Sequence, residues 1–120
     1  MPEASNKDEI NNLAREFEAC KNILVALGDE TRQHLILEMI KIGNCSVVRV
    51  GDIQKVSHLS RPAISHHLQI LKNAGILKMR REATKNYYYF DPNTESIDRL
   101  IGVLQKSKEI TIKLPDRSEL

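Results

Sequence analysis

One segment limits the fold of this chain more than any other: residues 60–77 and the basic stretch directly after them. Three apolar residues recur there at the spacing of one helix face; they are Ile64, Leu68 and Leu71. The opposite side carries polar groups that are able to meet bases and phosphates, namely Arg61, Ser65, His66, Gln69 and Lys72. A short helix with such an outer face, preceded by another short helix, suits the major groove of DNA.

Residues at the two ends of this helix predict its boundaries. Ser60 is the expected N-cap, and Gly75 is the expected stop. The next residues alternate in the manner of a β-hairpin, with its return strand at 87–90 and its tip at 83–86. Asn86 is the only tip residue that readily adopts a positive φ, so the turn type is left open.

The rest of the chain predicts further helices and one short strand from its apolar spacing. A first helix over 10–27 is ended by Gly28, and a second, capped by Asp29, buries Leu35, Ile36, Met39 and Ile40 and ends at Gly43–Asn44. Residues 47–50 are expected to form an edge strand of the wing sheet, and residues 51–56 a short helix with Val50, Ile53 and Val56 inward. Asn93 or Thr94 caps a last helix that ends near Glu109. We therefore expect a mainly α fold with a small β-hairpin wing: about five helices and a two- to three-stranded antiparallel sheet. One domain over residues 8–109 would lie between a flexible N-terminus, 1–7, and a flexible tail, 110–120.

Composition and charge narrow the class of protein. The 120 residues suffice for one modest core, and 41% hydrophobic and 28% charged residues are ordinary for a soluble globular protein. No apolar run is long enough for a membrane span or a signal peptide, so we expect a cytoplasmic protein without a membrane partner. Residues 1–30 hold three basic and seven acidic side chains, whereas residues 61–85 hold six basic side chains and one acidic. This basic segment indicates phosphate contact, although a solvated surface is the alternative.

The chain resembles the ArsR/SmtB family of prokaryotic winged helix-turn-helix repressors. Three segments carry the resemblance: ALGDETRQHLILEMI at 26–40, LSRPAISHHLQILKNAGIL at 59–77, and the hairpin that ends in YYYF at 87–90. They occur in the family's order and cover roughly two-thirds of the chain. The resemblance implies a dimeric winged helix-turn-helix repressor that binds double-stranded DNA. Similar Arg-Pro-Ala recognition helices occur among family members that are not known for metal sensing.

This interpretation assigns roles to individual residues. Arg61 is the best candidate for a base edge, since a guanidinium can bridge O6 and N7 of guanine, but a phosphate contact or a solvated arginine is the alternative. Ser65 and His66 match family positions that face DNA, whereas His67 shares the apolar side and predicts a hydrogen-bonded core histidine. Arg81 is able to lie across the sheet face instead. The expected DNA-binding set is Arg61, Pro62, Ser65, His66, Gln69, Lys72, Arg80, Arg81, Lys85 and Asn86.

The first and last helices carry apolar stripes that a small core and a wing cannot fully cover. Left exposed, they would form a large apolar patch on a monomer. Pairing across a two-fold axis removes that patch, and the resemblance implies the same arrangement. We expect a homodimer that binds an inverted-repeat operator, with an interface of Leu13, Phe17, Ile97, Leu100, Ile101 and Leu104.

Several other chemistries are disfavoured. The family's cysteine-x-cysteine metal ligands would fall at Arg49 and Gly51, which do not bind metals. The family's other common metal site uses histidines and carboxylates of the last helix, and this chain has no histidine after His67. Neither metal site is therefore expected, and no cofactor is implied. Cys20 and Cys45 leave a redox switch open, although Cys20 lies on an apolar stripe. No nucleophile motif, phosphate loop or paired carboxylates indicate an enzyme. The alternatives are a thiol- or metal-responsive repressor of the same fold and a protein-interaction module, and the effector is unknown.

Overall fold

The computed structural model describes residues 2–43, 47–91, 93–114 and 118, and it contains six helices and three strands in that part of the chain. In chain order they are α1 (Pro2–Ala19), α2 (Lys21–Leu27), α3 (Glu30–Gly43), β1 (Val48–Arg49), α4 (Val50–Gln54), α5 (Arg61–Asn73), β2 (Leu77–Glu82), β3 (Lys85–Phe90) and α6 (Glu95–Ile112). The mainly α architecture with one small antiparallel sheet agrees with the prediction.

The predicted first helix over 10–27 was wrong in one respect, because the structure divides it at Cys20 into α1 and α2. The Cys20 N–H donates to the carbonyl of Phe17, and the Cys20 carbonyl accepts from Leu24, so the chain keeps winding through the break. The apolar spacing therefore continues across it, and periodicity alone does not reveal it. Burial of Cys20 at the junction lets α2 turn its own buried side chains, Ile23 and Ala26, into the core.

Two element boundaries extend beyond their predicted positions. α1 begins at Pro2, so residues 2–7, which the sequence set apart as a flexible N-terminus, lie in a helix. α6 runs to Ile112, three residues past the predicted end at Glu109. Thr94 is its N-cap, one of the two predicted candidates, although its hydroxyl makes no capping hydrogen bond. The predicted end of α3 at Asn44 lies outside the described residues.

The sheet has the strand order β1-β3-β2, with both pairs antiparallel. β2 and β3 pair from Leu77↔Phe90 to Glu82↔Lys85, which leaves only Ala83 and Thr84 as the turn. The predicted four-residue tip was therefore too long, and the return strand starts at Lys85. Asn86 pairs within the sheet, whereas Ala83 adopts the positive φ, 55°. Extending the ladder by two pairs moves the left-handed position to the first residue of the short turn.

The core lies between α2, α3, α5 and the inner face of the sheet. Its most completely buried large side chains are Leu35, Met39, Val48, Ile53, Ile64, Leu68, Leu71 and Leu77. Two predicted core residues are instead exposed, Ile40 by 45% and Val56 by 48%. Ile40 lies about 100° round α3 from Met39, beyond the strip that the core covers. Val56 lies past the end of α4, so it does not continue the helical phase of Ile53. Within the described residues, no helix is both long and apolar enough to cross a membrane.

Candidate nucleic-acid interface

The polar face of α5 points away from the core. Ser60 caps the helix as predicted, since its hydroxyl accepts a hydrogen bond from the Ala63 N–H at 3.3 Å. Ile64, Leu68 and Leu71 are fully buried and fix the rotation of α5 about its axis. The residues expected to meet DNA consequently lie outward: Arg61, Pro62, Ser65, His66 and Gln69 are exposed, and Lys72 is half-buried. The chain's own interior does not cover this surface.

The four predicted wing residues are also exposed, although two of them already have partners. The guanidinium of Arg80 lies 5.6 Å from the ring centre of Tyr87 and 3.0 Å from a carboxylate oxygen of Glu82. Nε of Arg81 donates to the Ala83 carbonyl at 3.2 Å, which holds this side chain at the tip of the wing. Lys85 and Asn86 begin β3, next to the tip.

A groove of about 410 Å³ separates the wing from the start of α5. Four of the predicted residues line it together, which are Arg61, Ser65, Lys85 and Asn86. Arg49, Val50, Gly51 and Thr84 complete the lining. Three cations, Arg49, Arg61 and Lys85, therefore converge on one groove, and none of its described lining residues is acidic. Such a groove attracts phosphate.

Sequence reasoning missed Arg49 and Thr84 as members of this groove. Arg49 is the last residue of β1 and pairs with Tyr87 of β3, which carries it to the base of the wing. The available signal was the predicted edge strand over 47–50, because pairing that strand with the hairpin places its basic residue beside Lys85. The strand was predicted at the edge of the wing sheet, but its register against β3 was not.

His67 is half-buried on the inner side of α5, and its Nδ1 lies 3.4 Å from Nη1 of Arg32. The predicted hydrogen bond is present, but His67 lies at the edge of the core and not within it. Asp29 supports the same arrangement from the start of α3, since its carboxylate accepts the backbone N–H of Arg32 at 3.0 Å. This bond, aided by the nearby Arg32 charge, holds the pKa of Asp29 below its usual value, although partial burial opposes the shift.

The residues expected at a dimer interface divide into two groups. Phe17, Ile101 and Leu104 are exposed, each by more than half. Leu13, Ile97 and Leu100 are partly buried against the core. Beside them, an apolar groove of about 740 Å³ runs along α1 and α2, lined by Ile10, Leu13, Ala14, Phe17, Leu24 and Val25 among others. Of the two cysteines, Cys20 is buried in the core, and Cys45 lies outside the described residues.

Comparison with known proteins decides the family. The family described as "Bacterial regulatory protein, arsR family" matches residues 29–78. An uncharacterized HTH-type transcriptional regulator of Methanocaldococcus jannaschii is 38% identical over 89 residues, which cover 73% of this chain and 97% of that protein. This chain belongs to the arsR family of bacterial regulatory proteins. The transcriptional repressor SdpR of Bacillus subtilis is another relative, 33% identical over 87 residues that cover 71% of this chain and 92% of SdpR.

A solved structure described as an ArsR family transcriptional regulator superposes with a TM-score of 0.67, covering 82% of this chain and 95% of the other at 16% identity. At that identity the likeness shows the fold alone, which is the predicted winged helix-turn-helix. The predicted family is confirmed, and the arsR-family chain is a DNA-binding transcriptional regulator rather than an enzyme.

Proposed function

We propose that this arsR-family regulator is a homodimeric repressor that binds an inverted-repeat operator. Each α5 would enter a major groove, and each wing would track the adjoining backbone. One observation supports this most strongly: the exposed polar face of α5 adjoins a groove of three cations that no described acidic lining residue offsets.

Base recognition is assigned to the N-terminal half of α5. Arg61 carries the planar fork of donors that matches O6 and N7 of guanine. Ser65 and His66 lie one turn further on the exposed face and complete the reading surface. One amide N–H of Gln69 donates to Asn73 at 3.1 Å, and Lys72 is half-buried, so we assign both to the edge of the contact.

Phosphate contact is assigned to Arg49, Lys85, Asn86 and the tip arginine Arg81. Arg49 and Lys85 approach the backbone from the groove, whereas Arg81 is held at the tip by the Ala83 carbonyl. These contacts carry no sequence information but position α5 in its groove. Arg80 is the weakest of the wing cations, because Glu82 lies beside it.

The homodimer is supported by the shape and the apolar surface of the chain. Its radius of gyration is 18.5 Å, whereas a compact domain of this length has a value of about 14 Å. A second copy would bury the exposed apolar residues of α1 and α6, and removing them from water would stabilise the dimer. A two-fold axis there presents two copies of α5 to successive major grooves.

Repression would result when the dimer occupies promoter DNA, and we place the protein in the cytoplasm, where a regulator of the resembled prokaryotic family meets the chromosome. An effector would act by favouring a dimer geometry whose spacing no longer fits the operator. Burial of Cys20 disfavours it as a rapidly oxidised thiol.

A salt titration of DNA binding tests the proposal. Each phosphate neutralised by a cation releases counterions, so affinity should fall steeply and log-linearly with salt. Selection from a random duplex pool should recover an inverted repeat. Failure to bind any duplex at low salt would instead support a protein-interaction module. Release of the bound duplex on adding divalent metal would identify a metal-responsive repressor, and release on adding a thiol oxidant would identify a thiol-responsive one.

A further inference from the structure

The side chain of Arg61 is held by the helix that precedes it. Its Nε donates to Oε1 of Gln54 at 2.8 Å. Gln54 is the last residue of α4, and Arg61 is the first residue of α5, so this bond spans the turn between the two helices. Gln54 is half-buried, whereas Arg61 is exposed, so the better anchored residue supplies the acceptor.

Gly51, also on α4, leaves the space in which the guanidinium lies. A Cβ at this position would be 2.9 Å from Nη2 of Arg61 and 3.7 Å from Cζ. Real Cβ atoms essentially never approach to 2.9 Å, so the guanidinium would have to move. Gly51 does not have a positive φ. The backbone path therefore does not require glycine at position 51, and the side chain that a larger residue would displace is that of Arg61.

The bond to Gln54 leaves Arg61 fully able to bind DNA. A guanidinium has five N–H donors in a fixed fork, and Gln54 uses only the one on Nε. The donors on Nη1 and Nη2 remain for a base, with Arg49 and Lys85 across the same groove. Because an amide oxygen is neutral, it orients the arginine without cancelling its charge, as a carboxylate would. Fixing the plane in advance reduces the side-chain entropy that binding must remove.

We propose that Gln54 is a positioning residue, which, with the space left by Gly51, holds the Arg61 guanidinium ready for one base and so increases operator discrimination. This rests on the proposed function, in which Arg61 reads that base.

A double-mutant cycle tests whether Gln54 acts through Arg61. The variants are Gln54→Met, which keeps the length of the side chain but removes the acceptor, Arg61→Ala, and their combination. The probe is the duplex that the wild-type protein selects from a random pool, with a scrambled duplex as reference. We expect Gln54→Met to weaken binding of the selected duplex about three- to tenfold, the cost of immobilising one side chain. Binding of the scrambled duplex should change little, and in the Arg61→Ala background the effect should vanish. Equal losses in both backgrounds would contradict the proposal.

Gly51→Ala provides an independent variant, which is expected to reduce discrimination without reducing stability. Its Cβ should displace the guanidinium and reduce discrimination as Gln54→Met does. Alanine is the better helix former, so the melting temperature should stay the same or rise. Unchanged discrimination in this variant, or a loss that only tracks a fall in stability, would overturn the positioning role.

A measurement without DNA separates this inference from the proposed function. In the free protein, the Arg61 Nε–H resonance should show restricted motion and slow exchange, and Gln54→Met should make it as mobile as that of Arg15, an exposed arginine on α1. No difference between wild type and Gln54→Met would refute the inference while leaving DNA binding intact. A wild-type protein that selects no duplex refutes the proposed function, and with it the role in discrimination, even when the Nε–H result holds.

Discussion

Nη1 of Arg32 lies 3.4 Å from Nδ1 of His67, so α3 and the recognition helix α5 meet through a buried arginine. The same guanidinium donates from Nε to the Ala26 carbonyl at 2.8 Å and from Nη2 to the Val25 carbonyl at 3.2 Å. Both carbonyls belong to the last turn of α2, whose C-terminal oxygens have no partner within the helix. Arg32 therefore joins α2 and α3 to α5, the helix assigned to DNA.

Removing this arginine should destabilise the fold. Arg32→Met retains much of the apolar stem but leaves the Ala26 carbonyl without the Arg32 donor, whereas the Val25 carbonyl keeps a hydrogen bond from the Gly28 N–H. We expect the free energy of unfolding in urea to fall by about 1–3 kcal/mol, since one buried polar group left unpaired costs about that much. Arg15→Met on the exposed face of α1 is the matched control and should change it by less than about 0.5 kcal/mol. Similar small changes in both variants would show that Arg32 is not structural.

The ion pair between Lys78 and Asp91 should give stability a defined pH window. Nζ of Lys78 lies 2.6 Å from the Asp91 carboxylate at the end of the wing. The hydrogen bond from Lys78, together with a smaller contribution from the Asn93 N–H, lowers the pKa of Asp91, and the same pair raises the pKa of Lys78. Because the pKa of Asp91 is lowered, its ionised form stabilises the fold fully above pH 3.8, the usual pKa of the group. This stabilisation is lost as the pH falls through the lowered pKa. Because the pKa of Lys78 is raised, its charged form stabilises the fold fully below pH 10.5, the usual pKa of lysine. This stabilisation is lost as the pH rises through the raised pKa.

Asp91→Asn should therefore reduce stability at neutral pH, and the difference from wild type should narrow below about pH 4 and above about pH 11. Urea midpoints across that range measure the difference. Glu82→Gln removes the partner of Arg80 from an exposed ion pair and should show almost no effect at any pH. A difference for Asp91→Asn that persists undiminished at pH 2 would mean that the ion pair is not its source.

Local rules predicted the parts of the site that depend on neighbours in sequence. The Ser60 cap and the buried face through Ile64 and Leu68 were predictable from helix chemistry and spacing, and they fix which side of α5 is exposed. Contacts across a turn or between strands lie beyond such rules. Nothing local places Gln54 against Arg61, because that contact depends on how α4 packs against α5, and the predicted edge strand alone does not give the register that sets Arg49 opposite Tyr87.

The wing turn illustrates the same limit and makes a prediction. Asn86 was the natural candidate for a positive φ, yet strand pairing gives that conformation to Ala83. A Cβ in the left-handed region costs about 1–2 kcal/mol. Ala83→Gly should therefore raise the free energy of unfolding by about 0.5–1 kcal/mol, after allowance for the greater entropy of unfolded glycine, and so raise the melting temperature. Thr84→Gly, at the other turn residue, lacks a positive φ to relieve and should lower it instead. The reverse order of the two melting temperatures would contradict this.

A charge placed on α6 should separate the proposed dimer. Leu104 is 59% exposed on the face shared with Ile101, where a second copy would cover it. Leu104→Glu would bury a carboxylate at that interface, so we expect sedimentation velocity to show a monomer at concentrations where the wild type is a dimer. Leu37→Glu is the control, because Leu37 is similarly exposed, by 47%, but lies on α3. Dissociation by Leu37→Glu and not by Leu104→Glu would move the interface to α3.

Arg61 and Lys85 line the same groove, yet replacing each with alanine should affect DNA binding differently. Arg61→Ala should relax discrimination at one base pair per half-site by about 1–3 kcal/mol, since a good bidentate contact to a base is worth that much. Lys85→Ala should weaken selected and scrambled duplexes alike and reduce the salt slope by about one, since a phosphate contact releases counterions whatever the sequence. Competition binding with single-base variants of the selected duplex, repeated over a range of salt, distinguishes the two. Equal losses on selected and scrambled DNA for Arg61→Ala would reassign it to the backbone, and Gln54 would then orient a phosphate ligand.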